Sequence, residues 1–208
     1  MEVEFDLQHP IKLYWEWGKT PENCISRLFP GLFMQKREVL RVQSGNSVNC
    51  TVYEGGFCVH AHCTHTENVS HISRTQEKLH LEPFFKVYLF PSIERALKST
   101  ERAIGCKGIV LRCSDVNAFL PVELGVQLNK TCSQIMHLFT NVASVDEVQS
   151  KSLDLHCSFL HQNAHRTITE LCNIPRHLEE GIYLMNVNVW DFDSGASPSF
   201  PVLFPRRK

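Results

Sequence analysis

The chain has 208 residues, 43% of them hydrophobic, with 21 basic against 22 acidic side chains. That length accommodates one large domain with a sizeable core. The balanced charge argues against a nucleic-acid binder, which shows a basic excess or face, and no run approaches the ~18 apolar residues that span a bilayer. Arg206-Arg207-Lys208 is the one basic cluster and reads as a solvated tail.

In chain order, Ile11, Leu13, Trp15 and Trp17 alternate with polar neighbours, which predicts a strand. Its two tryptophans would enter a core or line a ligand cavity. Pro30-Gly31 marks a turn. Residues 38–42 and 48–53 flank Ser44-Gly45-Asn46-Ser47 as a hairpin, and Glu54-Gly55-Gly56 turns the chain into a third strand at 57–62.

That third strand carries Cys58, His60, His62, Cys63 and His65. On an extended chain Cys58, His60 and His62 share a face, so three zinc-type ligands could converge. The competing reading is two disulfide cysteines with solvent-facing histidines. A cysteine–histidine nucleophile would lack an orienting group and an oxyanion hole.

Residues 64–78 read as an exposed polar loop. Residues 84–90 form the most aromatic strand, between Pro83 and Pro91. At 92–104 the period changes: Ile93, Ala96, Leu97, Thr100 and Ile104 make a helical stripe that Ser92 can cap and Gly105 can end. Ile109-Val110-Leu111 is a short strand, and a Cys106–Cys113 bridge would close it into a hairpin. Val122, Leu124, Val126 and Leu128 alternate as a strand. Ile135, Leu138, Phe139, Val142 and Val145 stand at helical spacing.

The stretch from 155 to 192 organises the rest. Leu178-Glu179-Glu180-Gly181 turns into a long strand in which Tyr183, Met185, Val187 and Val189 share one face. Asp191 and Asp193 flank Phe192 in a solvated turn, too few acids for a calcium loop. Pro198, Pro201 and Pro205 predict an extended tail from about 194 onward, an edge strand or a linker.

Nine cysteines occur: Cys24, Cys50, Cys58, Cys63, Cys106, Cys113, Cys132, Cys157 and Cys172. No CxxC pair is present, which removes the basic unit of a zinc ribbon. Three glycosylation sequons begin at Asn49, Asn68 and Asn129. Together these predict a secreted or extracellular glycoprotein with disulfides. The first residues contain no apolar signal-peptide region, so a secreted chain would be a trimmed mature form, a spliced form or one with an added Met, and the competing reading is an intracellular protein with free thiols. No HExxH, GxSxG or Gly-rich phosphate loop occurs, so no catalytic residue is assigned and no cofactor is required.

Cys132, Cys157-Ser158-Phe159, Ile174-Pro175 and Leu178-Glu179-Glu180-Gly181-Ile182-Tyr183 resemble, in order, the late region of the ML (lipid-recognition) domain family. The resemblance implies a mainly β fold: an immunoglobulin-like antiparallel β-sandwich, here one domain over 1–208 with one or two short helices. It implies a lipid or other hydrophobic ligand held between the sheets. Trp15, Trp17, Phe84, Phe85, Tyr88, Phe90, Phe139, Tyr183, Met185 and Val187 could line that cavity. Each buried CH₂ of such a ligand gains ~0.8 kcal/mol, so binding needs no catalysis. The alternative is a receptor ectodomain or immune-modulating module with a packed core, binding a protein partner through exposed aromatics such as Tyr14 and Phe200. A third class is a metal-dependent enzyme using Cys58, His60 and His62.

Overall fold

Four short apolar runs meet side by side at the centre of the fold. The computed structural model describes residues 4–14, 41–42, 48–49, 63–65, 82–147, 154–160, 166–189 and 196–207. The strands are β1 (Ile11–Lys12), β2 (Arg41–Val42), β3 (Val48–Asn49), β4 (Cys63–His65), β5 (Phe85–Phe90), β6 (Gly108–Leu111), β7 (His137–Thr140), β8 (Thr167–Thr169), β9 (Gly181–Val189) and β10 (Ala196–Phe204). The helices are α1 (Ile93–Lys98), α2 (Val122–Thr131) and α3 (Asp154–Leu160), with a 3₁₀ turn at Thr100–Ala103.

β5, β6, β7 and β8 pair in parallel, Tyr88 opposite Ile109, Ile109 opposite Leu138 and Leu138 opposite Ile168. Parallel neighbours need crossover connections, and α1, α2 and α3 lie within those connections. The rest of the sheet is antiparallel: β9 pairs with β5 and β10, and β4 pairs with β10 and β8. Seven strands thus curl into a half-barrel, and β1 adds to β10 as the eighth strand of the sheet. β2 and β3 form a separate pair, as the predicted hairpin required.

The two faces of this one sheet bury two clusters. Tyr88, Phe90, Ile109, Leu111, Leu138 and Ile168 pack against Ala96, Leu124, Leu128, Leu155 and Phe159 of the helices. Phe85, Val87, Leu89, Val110, Phe139, Tyr183, Met185 and Val187 fill the concave face with Leu13, Ile174 and Leu203. Tyr88 also donates to Glu180, which pairs with Arg95 at 2.9 Å and ties α1 to the start of β9.

The antiparallel immunoglobulin-like sandwich is therefore corrected to a single mixed sheet covered by helices. Two local expectations are corrected with it. Residues 122–128 alternate like a strand but form α2, because Leu124 and Leu128 also lie four apart, on one helical face. Residues 137–140 belong to β7 and are buried throughout, as in parallel strands covered on both sides. Such a run satisfies a helical template as well. The proline-bearing tail is neither edge nor linker: it is β10, paired with β9, β4 and β1.

Other expectations hold. The aromatic strand is β5 and the long strand is β9. Ser92 caps α1 by accepting from the Arg95 N–H at 3.1 Å, and Gly105 takes φ 84 after the 3₁₀ turn. The expectation of disulfides is corrected at four positions: Cys106, Cys113, Cys132 and Cys172 are free buried thiols. A Cys106–Cys113 hairpin does not form because β6 lies parallel between β5 and β7. Cys157 sits in α3. Cys63 lies in β4, and Cys24, Cys50 and Cys58 fall outside the described residues.

α2 and α3 meet at Gly125. A Cβ there would fall well inside contact distance of Ser158 Oγ and 3.0 Å from Leu155 Cδ1. We expect Gly125→Ala to lower the melting temperature despite alanine's better helix propensity, by about 1–2 kcal/mol net. The double variant Gly125→Ala/Ser158→Ala should recover part of the loss in calorimetry.

His137 is 5% exposed, lies 4.7 Å from the Phe85 ring and places Nδ1 2.9 Å from Thr167 Oγ1. Burial, with a smaller push from Lys107, takes its pKa from 6.5 down to about 3. A depressed histidine stabilises the fold above its unfolded pKa, and that contribution is lost as pH falls from 6.5 toward 3. Denaturant midpoints should drop over this window by the equivalent of up to ~4 kcal/mol, and His137→Asn should flatten that limb.

Candidate functional site

Beyond the carboxyl ends of β7 and β8 lie two buried acids and a buried histidine. β7 runs out at Thr140 into a loop that carries Asp146, β8 ends one residue before Glu170, and α3 brings His156 over both. Asp146, His156 and Glu170 are 8%, 4% and 4% exposed. Charged side chains are rarely so buried unless paired.

Asp146 organises the group. Its Oδ1 accepts the Leu155 N–H at 3.0 Å and its Oδ2 accepts the His156 N–H at 2.9 Å, so it holds the start of α3. The same Oδ2 lies 2.7 Å from His156 Nδ1. The other ring nitrogen, Nε2, stands 3.9 Å from Glu170 Oε1. Glu170 is placed by the Val145 N–H, which donates to Oε1 at 2.6 Å. Burial raises the Asp146 pKa, but the bonds from the His156 ring and from two backbone N–H groups outweigh it and hold the carboxyl below its ordinary value.

Backbone strain marks the same place. Leu171, next to Glu170, has φ 58, a left-handed conformation costing a non-glycine residue about 1–2 kcal/mol. Its N–H bonds Val142 O at 2.9 Å, and the Cys172 N–H bonds Thr140 O at 2.8 Å, pinning the turn. The turn leaves Glu170 toward α3 and Leu171 toward the concave side. Such outliers concentrate at functional sites.

The donor chemistry fits a divalent cation in part. A metal-binding histidine usually gives its second ring nitrogen to a carboxylate, and Asp146 stands in that place. His156 Nε2 and Glu170 Oε1 face each other as nitrogen and oxygen donors. Among the described residues no group of three possible ligands gathers. β4, however, runs beside β8, with His65 opposite Ile168 and Thr64 opposite Thr169. The metal-like segment seen in the sequence thus leads into the strand that flanks Glu170. Cys58, His60 and His62 themselves lie outside the described residues.

The residues proposed as a lipid-cavity lining do not share one space. Phe85, Phe139, Tyr183, Met185 and Val187 fill the concave core. Tyr88 and Phe90 face the helices instead, because successive strand residues point to opposite faces. Phe84 is 49% exposed and packs on Phe204. Trp15 and Trp17 fall outside the described residues. The non-catalytic carrier is corrected with the fold: among the described residues the expected lining is divided between the two faces of one mixed sheet. Tyr14 and Phe200 pack edge to face at 5.6 Å.

Asn129, of the third sequon, lies on α2. It donates to Ser158 O at 2.6 Å and accepts from Arg166, a buried cation 4.7 Å over the Phe159 ring. Asn49 lies in β3, and Asn68, Asp191 and Asp193 fall outside the described residues. Asp146, His156 and Glu170 were not singled out in the sequence. Their available signal is acids and a histidine within otherwise apolar runs at 142–146, 155–160 and 168–174.

Asp146→Ala removes three acceptor contacts at once. We expect a loss of about 1–3 kcal/mol in denaturant unfolding. A carboxylate held below its ordinary pKa stabilises above that value, so the wild type should lose this contribution as pH falls below 3.8, and the variant should not.

No protein-family model matches the sequence, and no curated protein matches it. Solved structures do match the fold. A potential metal-dependent hydrolase with cyclase activity superposes with a TM-score of 0.61 at 13% identity, over 96% of this chain and 99% of that one. Isatin hydrolase A from Labrenzia aggregata gives 0.60 at 9% identity, over 96% and 94%. Isatin hydrolase A from Ralstonia solanacearum gives 0.56 at 10%, over 95% and 92%. At these identities the likeness is one of fold: the chain is built on the curled, mixed half-barrel that these hydrolases share.

Proposed function

We propose that this protein is a metal-assisted hydrolase of a small carbonyl compound. The observation that carries the proposal is the buried Asp146–His156–Glu170 group at the carboxyl ends of parallel strands, where α/β folds bind ligands. The structural neighbours named as hydrolases support it, one of them by its name metal-dependent.

His156 Nε2 and Glu170 would supply a nitrogen and an oxygen donor to the cation. A cation bound there would polarise a carbonyl oxygen and lower the pKa of a bound water. The chain's own residues set up that chemistry. Asp146 fixes the His156 ring through Nδ1 and so directs Nε2 toward Glu170. The Val145 N–H orients the Glu170 carboxylate. Leu155, Phe159 and Ile168 of the adjoining core would exclude bulk solvent, leaving only the water that the reaction consumes.

The test is direct. Protein loaded with zinc or manganese is assayed on isatin, the substrate named for two of the neighbours, and on a panel of small amides and lactones. We expect turnover that a chelator removes and re-addition of metal restores. His156→Gln and Glu170→Gln should each lower kcat/KM by about 100-fold or more while circular dichroism stays that of the wild type. Absence of stoichiometric metal and of turnover across the panel would overturn the proposal.

A further inference from the structure

A second feature lies on the other side of the same strand ends. Pro91, Arg112, Asn141 and Leu171 each follow their strand by one or two residues. The register Phe90–Leu111–Thr140, with Phe139 opposite Thr169, puts all four in one layer. Period-2 alternation turns this layer toward the concave face, beyond Leu89, Val110 and Phe139. The layer opens into a cavity of about 640 Å³, completed by Cys113, Ser114, Val116, Cys172, Asn173, Ile174, Pro175 and Arg176. That volume is in the range of small-molecule sites.

The lining has a definite chemistry. Two arginines, two asparagines and a serine border it with several apolar residues, and its described lining contains no acid. Arg112 is held in place: its Nη1 donates to the carbonyls of Pro175, Arg176 and Leu178 at 3.0, 2.8 and 3.0 Å. Among the described residues its Nε and Nη2 take no partner, and no carboxylate pairs with it. The nearby Asp115 is occupied, accepting the Asn117 N–H at 2.9 Å. Asn141 braces the rim, accepting from the Cys113 N–H at 2.6 Å and donating to the Cys113 carbonyl at 2.8 Å. The two thiols add no anionic charge or nucleophile: burial pushes Cys113 up to about 11 and Cys172 further in the same direction.

An anchored guanidinium with free donors, in an acid-free cavity with apolar walls, suits a carboxylate on an apolar body. We propose that this cavity binds a small organic carboxylate, with Arg112 receiving the carboxylate and Pro91, Val116, Leu171 and Ile174 the apolar part. The site shares the end of β8 with the polar group, but its occupancy does not depend on hydrolysis.

The experiment is titration calorimetry of the full chain with phenylacetate, phenylacetamide as its neutral counterpart, and inorganic phosphate as a bare oxyanion. We expect saturable phenylacetate binding, with both other probes about tenfold weaker or more. Ser114→Glu places an acid on an exposed part of the rim and should weaken phenylacetate about tenfold while leaving the unliganded melting temperature unchanged. Arg112→Lys should weaken it as well. His156→Gln should bind phenylacetate as the wild type does, which separates this site from the hydrolytic one. Phenylacetamide or phosphate binding as tightly as phenylacetate would overturn the assignment. So would no phenylacetate binding at millimolar concentration, or unchanged binding in both cavity variants.

Discussion

The parallel register of β5, β6, β7 and β8 is the constraint on which the rest depends. It aligns four strand ends in one layer and decides which side of the sheet each following residue faces. Glu170 goes to the helical side and Leu171 to the concave side. The strain at Leu171 is the local consequence: the chain must turn at once after β8, and hydrogen bonds donated by the Leu171 and Cys172 N–H groups to the Val142 and Thr140 carbonyls hold it there. Two chemically distinct places, one carboxylate-rich and one arginine-lined, therefore lie back to back across a single strand end.

The helical side concentrates buried charge, and its cost is met by hydrogen bonds rather than by solvent. Asp146 takes two backbone N–H groups and the His156 ring, and Glu170 takes the Val145 N–H. Arg166, 3% exposed, is held by the carbonyls of Phe159 and Ser133 and by Asn129, without a carboxylate among the described residues. These bonds span from 7 to 37 residues of chain and join different elements. Removing one partner leaves a buried group unpaired, so the polar groups also lock α2 and α3 to the sheet.

Parts of this were legible beforehand. The aromatic run at 85–90 and the alternation at 182–189 each have one dominant period, and both are strands. Ser92 was legible as a cap because capping is a local hydrogen bond. The run 122–128 was not, because Leu124 and Leu128 satisfy periods of 2 and of 3.6 alike, and the choice falls to the packing of Leu124, Gly125 and Leu128 under α3. Glu170 was not legible either, since only the pairing of β8 with β7 and β4 fixes where the chain leaves the sheet at Thr169.

By itself the sequence determined the local quantities: where apolar residues recur, where turns break the chain, and that its charge is balanced. The tertiary structure alone decided that the strands form one parallel-centred sheet rather than two antiparallel ones. The physical reason is that strand direction and partner are set by the crossovers and by pairing between distant segments. No local pattern encodes either. The same holds for the functional groups: Asp146, His156 and Glu170 are ordinary residues in sequence and become a candidate site only when β7, β8 and α3 meet.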